Sequence, residues 1–153
     1  MDDIVVRPVR DSDVESIVNI DARVTGERRA GWWRGHLAPY LAGGDPTEGS
    51  LIPELCLVAE RRGEIVGFVI GDVQSWQFGL PRSGRVVAIA VDARHQRSGA
   101  GRLLVGRLLE QFRKMELQAV RCVVRPGDEL DAFFARCGFG RSDFEIRTAD
   151  LGD

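Results

Sequence analysis

The run Val86-Val87-Ala88-Ile89-Ala90-Val91 is entirely apolar, and within a few residues the chain reaches a glycine turn that opens straight into a helix. The run has the length and β-branched content of a buried strand. After Asp92-Ala93-Arg94-His95 comes Gln96-Arg97-Ser98-Gly99-Ala100-Gly101, and then apolar residues at Ala100, Leu103, Leu104, Leu108, Leu109 and Phe112. That spacing has the 3.6-residue period of a helix. A turn of this kind gathers unpaired backbone N–H groups at the positive end of the helix dipole, which makes an anion seat. Gly99 and Gly101 lack the Cβ that would hold a phosphate away from the backbone. The unit is therefore a strand, a pyrophosphate-type loop and a helix.

Two common nucleotide loops are excluded. A dinucleotide fingerprint needs a third glycine and an acidic residue about 20 positions on; the third-glycine position here is Leu104, and no Asp or Glu ends a second strand at the right place. A Walker loop needs Gly-Lys-Ser/Thr, and the only lysine is Lys114.

At 153 residues the chain is long enough to bury a core as one domain spanning 1–153. A net charge of −2 gives no general attraction to nucleic acid or a membrane surface. No apolar run approaches the roughly 20 residues of a membrane span, and the acidic start Met1-Asp2-Asp3 is unlike a signal peptide. Cys56, Cys122 and Cys137 are odd in number and widely spaced. They read as reduced core thiols of a cytoplasmic protein, with no disulfide and no metal site.

Along the chain, Ile4–Val9 reads as a strand. Ser12-x-x-Glu15 reads as a capping box ahead of a helix with Val14, Ile17 and Val18 on its buried stripe. A second helix is expected over Glu27–Leu41, interrupted by Gly31 and Gly35 and ended near Pro39. Gly43–Pro53 and Ser75–Ser83 read as loops. Leu55–Glu60 and Glu64–Val73 form a hairpin around Arg61-Arg62-Gly63. Further strands are expected at Ala119–Val124 and Phe144–Thr148, with a short helix at Glu129–Arg136 between them. The order β-α-α-β-β-β-α-β-α-β describes an α/β sandwich on a mixed, mostly antiparallel sheet. The strand Val86–Val91 and the strand Ala119–Val124 are expected to be parallel neighbours, because the helix between them supplies the crossover.

Gln96, Gly99 and Gly101 resemble motif A of the GNAT acyltransferases, Q/R-x-x-G-x-G/A. The resemblance continues elsewhere. Arg7-Pro8-Val9-Arg10 with Asp11-Ser12-Asp13 is similar to the family's first strand and helix start. Val124-Arg125-Pro126-Gly127-Asp128 and Ala132 to Gly138-Phe139 are similar to its motif B, although one residue short between Pro126 and Gly138. The element order is also the family's. The resemblance implies acetyl transfer from acetyl-CoA, the co-substrate, to a primary amine, either small or at a protein N-terminus, by direct attack in a ternary complex. It implies that the backbones of Ile89, Ala90 and Val91 pair with the pantetheine arm. Gln96, Arg97, Ser98, Gly99, Ala100, Gly101 and Arg102 would hold the diphosphate, and Phe134 would pack on the cofactor arm. The oxyanion donor is expected at a strand bulge near Ala90. Trp76 and Phe78 are expected to border the acceptor cleft. No metal, nucleic acid or membrane is implied as a partner, and self-association into a homodimer is left open.

The familiar proton-transfer groups are missing. The family's glutamate early on the central strand is Arg85 here, and the Glu-Val-Arg of the ribosomal-protein alanine acetyltransferases reads Val123-Val124-Arg125. Glu54, Glu60 and Asp72 are the remaining candidates for the base, beside a water relay. The tyrosine that often protonates the leaving thiolate is Phe134, and the sole tyrosine, Tyr40, lies far away in sequence. These departures sustain a second reading, an acyl-CoA-binding sensor or regulatory module with little or no catalysis. Trp32 and Trp33 read either as core packing or as an acceptor wall, and His36 and His95 read as bystanders.

Overall fold

The computed structural model describes residues 3–43, 51–74 and 81–152. Trp76 and Phe78 lie outside the described residues. The chain forms two compact units, Met1–Val123 and Val124–Asp153.

The first unit is a five-stranded sheet with strand order β1-β2-β3-β4-β5. The strands are β1 (Ile4–Pro8), β2 (Cys56–Arg61), β3 (Glu64–Gln74), β4 (Ser83–Val91) and β5 (Val120–Arg121). The first three pairings of the sheet are antiparallel, and β4 to β5 is parallel. The β2–β3 hairpin turns at Arg62 and Gly63, with φ 53° and 76°. Two successive left-handed residues are what a turn matching the twist of a hairpin requires. β4 begins at Ser83, ahead of the apolar run, because pairing to Gln74 and Val73 holds the polar Ser83-Gly84-Arg85 in the sheet.

The helix α3 (Ala100–Lys114) covers one face. Its stripe of Ala100, Leu104, Val105, Leu108 and Phe112 is buried, as the period requires. Phe112 seats where the sheet has no side chains: a Cβ at Gly71 or Gly84 would lie 2.9 Å from its ring. The helices α1 (Val14–Thr25) and α2 (Ala30–Ala42) lie over the other face. Trp33 of α2 meets Phe68 of β3 edge-to-face at 5.3 Å, and the Tyr40 hydroxyl donates to Gly71 O at 2.9 Å. Trp33 is therefore core, whereas Trp32 is exposed and stacks on His36 at 4.7 Å.

Two helix boundaries differ from the sequence reading. α1 is not capped by Ser12: Asp11–Asp13 forms a 3-10 turn, and Asp13 accepts the Arg10 N–H at 2.8 Å. Arg7 grips the same carboxylate at 2.7 and 2.9 Å, and Glu15 instead bonds Arg28. A buried carboxylate held by a guanidinium outcompetes an exposed hydroxyl for the position. α2 runs through Pro39 to Ala42. Pro39 and Gly35 are exposed, so water can satisfy the carbonyl that the proline ring leaves without a donor.

In the second unit, α4 (Glu129–Arg136) starts from Asp128, whose carboxylate accepts the Glu129 N–H at 2.9 Å. It ends with Gly138 at φ 94°, which lets the Phe139 N–H return to Phe134 O at 2.9 Å. The buried Phe134 ring meets Phe133 and Phe139 edge-to-face at 5.2 and 5.1 Å. The closing strand expected at Phe144–Thr148 is absent, and residues 140–152 are exposed without regular structure. Phe144 and Ile146 are the only large apolar residues of that alternation, too little surface to offset the entropy of ordering it.

Candidate functional site

The two edges of β4 differ. Toward β3 it is paired from Gln74↔Ser83 to Gly67↔Val91. Toward β5 the pairing is confined to Gly84↔Val120 and Arg85↔Arg121. From Val86 to Val91 the second edge has no ladder partner among the described residues. Ile89, Ala90 and Val91, half-buried, thus present strand donors and acceptors along an edge that β5 leaves open. An extended ligand carrying amides can complete such an edge.

β4 also carries a register break. Ile70 pairs with Ala88 and Gly71 with Val86, so Val87 bulges without a partner. The bulge lies earlier on the strand than the expected position near Ala90, where Phe68↔Ala90 and Val69↔Ile89 pair regularly.

The far end of β4 leads into the loop. Asp92, 2 % exposed, fixes the exit from the strand. Its N–H donates to Val66 O at 2.8 Å, and its carboxylate accepts from the Arg94 N–H at 3.1 Å. Arg94 Nη2 reaches the carboxylate at 2.9 Å and Arg23 Nη1, from α1, at 2.5 Å. The Arg94 hydrogen bond and, behind it, the Arg23 charge overcome the cost of burial and bring the Asp92 carboxyl down to about 2. Arg94 continues to Glu64 at 3.2 Å. The loop is thus clamped to β3, to α1 and to its own turn before the glycines begin.

Beyond His95, Gln96 and Arg97 are exposed, with Gln96 Nε2 directed at Val91 O at 3.5 Å. Arg97 is left-handed at φ 65°, and Gly99, the N-cap of α3, at φ 89°. Only glycine takes the latter conformation without strain. Ser98 Oγ accepts from Ala100 N–H at 3.3 Å. The first helical bond in α3 runs from Leu103 N–H to Gly99 O at 3.0 Å. The Gly101 amide, ahead of it, has no intrahelical acceptor. The first turn contains no acidic side chain. The open edge at Ile89–Val91 and this amide-bearing turn are thereby continuous, joined by a rigid corner.

The three candidate bases fall at different places. Glu60 pairs with Ile65 at the loop end of the sheet and lies 3.7 Å from Arg7, two strands from β4. Glu54 is exposed in the Pro53–Leu55 turn before β2, toward the bulge end. Asp72 lies beside the bulge, where Arg85 holds its carboxylate through Nε at 3.0 Å and Nη2 at 2.6 Å. The carboxylate also raises the pKa of Arg85 by direct hydrogen bonding. Asp72 is the one candidate beside the β4 bulge. Tyr40 and Cys56 are unsuited to proton transfer: burial raises the phenol and pushes the Cys56 thiol up to about 12. Phe134 belongs to the second unit and sits in its aromatic cluster.

Sequence reasoning missed Asp92 and its Arg23 and Arg94 partners. The signal was an aspartate directly after a buried strand with an arginine two residues on, the pattern of a side chain capping its own turn. Among the described residues no group of three or more His, Cys, Asp or Glu could hold a metal ion, and no helix is long and apolar enough to cross a membrane.

Comparison with known proteins places this geometry. Residues 27–139 match the family described as Acetyltransferase (GNAT). No curated protein matches the chain in sequence. Among solved structures, the aminoglycoside N-acetyltransferase AAC(6')-Iy in complex with CoA superposes with a TM-score of 0.79 at 10 % identity, covering 99 % of this chain and 97 % of its own. A ribosomal-protein-alanine N-acetyltransferase from Brucella melitensis gives 0.73 at 17 %, covering 98 % and 100 %. Ard1 from Thermoplasma volcanium gives 0.71 at 26 %, covering 91 % and 84 %.

Proposed function

The chain belongs to the GNAT acetyltransferase family, and from that premise we propose that it transfers an acetyl group from acetyl-CoA to a primary amine, by direct attack in a ternary complex. The observation that carries this reading is the open edge of β4 running into the Gly99 turn. Acetyl-CoA brings an activated thioester, an arm with amides and a diphosphate, and the residues present suit each part. The backbones of Ile89, Ala90 and Val91 accept and donate to the amides. The Gly101 amide, with its neighbours from Gln96 to Arg102, faces the diphosphate at the positive end of α3. Arg97 and Arg102 add charge. The family resemblance assigns Phe134 to the cofactor arm and Trp76 and Phe78 to the acceptor. The family match runs from α2 to Phe139, which supports reading 1–153 as one acetyltransferase domain.

Near the bulge, a main-chain N–H between Val87 and Ala90 meets the negative charge that develops on the thioester oxygen. Asp72, directly or through water, takes the proton of the incoming amine. Positioning supplies much of the rate in a direct transfer, so the missing tyrosine at Phe134 lowers the rate without abolishing it. The test is to follow free thiol while the protein is incubated with acetyl-CoA and a panel of primary amines. Turnover with at least one amine is expected. CoA binding with no turnover across the panel would leave the binding-module reading in its place.

A further inference from the structure

Three charged side chains stand in a row where β4 and β5 part. Asp72, Arg85 and Arg121 occupy neighbouring register positions on β3, β4 and β5, through Asp72↔Arg85 and Arg85↔Arg121. The residues before them, Gly71 and Gly84, face Phe112 of α3. Alternation along the strands therefore puts the row on the opposite face of the sheet from α3. It is the last β4–β5 pair before the edge of β4 opens, and it adjoins the Val87 bulge.

The row holds two positive charges and one negative. Asp72 is largely covered, with a side chain 17 % exposed, and occupies Nε and Nη2 of Arg85. Arg85 itself is 45 % exposed, and its Nη1 takes no part in that pair. A guanidinium held by one carboxylate and still open on its other side is pre-organised for a second one. The plain alternative is a cross-strand ion pair that only steadies the sheet, worth about 0.2–1 kcal/mol.

Resting on the transferase reading above, we propose that Arg85, oriented by Asp72 and with Arg121 beside it, forms a carboxylate-binding subsite for the acceptor. The preferred acceptor is then a small amine carrying a carboxylate a few bonds from its nitrogen, the chemistry of a free amino acid. The amine reaches the thioester beside the Val87 bulge while the carboxylate meets the open side of Arg85. Asp72 has two tasks in this arrangement: it orients Arg85 and faces the ammonium group from the same row.

The experiment compares α-amino acids with their α-carboxamides as acceptors of the wild type, Arg85→Gln and Arg85→Lys, by thiol release. The Kd for CoA serves as the control of folding. Carboxamides have the less basic amine, so a bias from ionisation alone runs against the expected result. In at least one pair the acid should exceed its amide by at least about tenfold in kcat/KM, or ~1.4 kcal/mol. Arg85→Gln should collapse that ratio through the acid's KM, and Arg85→Lys should restore part of it. Equal or better use of the amides in every pair, or an unchanged ratio in Arg85→Gln, would overturn the subsite. If CoA binds and no acceptor turns over, the transferase reading itself falls. The subsite is then judged by titrating N-acetyl amino acids and their methylamides into the CoA-bound protein. Acid-selective binding lost in Arg85→Gln upholds it, and binding indifferent to the carboxylate overturns it.

Discussion

The two ends of β4 are built on different terms. At the Val91 end the site is made of backbone: an unpaired strand edge, a left-handed Gly99 and a Gly101 amide with no helical acceptor. The side chain that clamps it, Asp92, is buried and held by Arg23 and Arg94. At the bulge end the site is made of side chains, Asp72, Arg85 and Arg121, of which Arg85 is exposed. A ligand common to a whole family can be read by main-chain groups that tolerate drift in sequence. An acceptor that differs from member to member is read by the residues that vary.

Breaking the backbone end should have the largest effect. Gly101→Val puts a branched side chain in the first turn of α3, where φ is not left-handed. CoA affinity should fall at least about tenfold, ~1.4 kcal/mol, in calorimetric titration, with the helix signal in circular dichroism unchanged. Gly99→Val should cost affinity and also disturb the helix start, because a branched residue resists φ 89°. The pair of variants separates occlusion of the phosphate from strain.

Asp92→Asn comes next. It weakens the hydrogen bonds that the half-exposed Arg23 and Arg94 make to the buried carboxylate, and a loss of roughly 1.5–3 kcal/mol in denaturant unfolding is expected. A depressed carboxylate stabilises the fold above its unfolded value, near 3.8, and loses that contribution as pH falls toward about 2. The wild type should therefore lose stability between those values, and Asp92→Asn should be flatter there. CoA affinity should fall several-fold through the loosened loop.

Asp72→Asn sharpens the contrast from the other end. Acceptor kcat/KM should drop by about tenfold, less than the ~10²–10⁴-fold of a base without a substitute because water can stand in for the carboxylate, while CoA affinity stays within about twofold. Equal losses in both quantities would mean that the two ends are not separate. The smallest effect belongs to Arg97→Ala. Its exposed charge should be worth about twofold to threefold in CoA affinity at low salt and nothing near 1 M, where the screening length is about 3 Å.

How much was legible in the sequence follows the same division. The strand, glycine turn and helix of residues 86–112 could be read directly, because apolar period and glycine placement are local properties. The Arg61-Arg62-Gly63 turn and the Val14, Ile17 and Val18 stripe were legible for the same reason. What escaped depends on partners distant in the chain. Asp13 takes the capping role from Ser12 because Arg7 reaches it, and Ser83 enters β4 because Gln74 lies opposite. Asp92 gains its importance from Arg23 on α1. The Phe144–Thr148 alternation has the period of a strand but forms none. That Asp72 lies against Arg85 and beside the bulge is a matter of strand register, which local sequence does not display.

The central claim, that the cofactor seat is the backbone from Ile89 through Arg102, is tested most directly by amide chemical-shift changes as CoA is titrated into the ¹⁵N-labelled protein. The largest changes are expected at Ile89–Val91 and Gln96–Arg102, with Glu54 and Glu60 quiet. Saturable changes concentrated elsewhere, for example along the groove between Ile4, Val6 and Arg107, with the Gly99 turn unmoved, would contradict it.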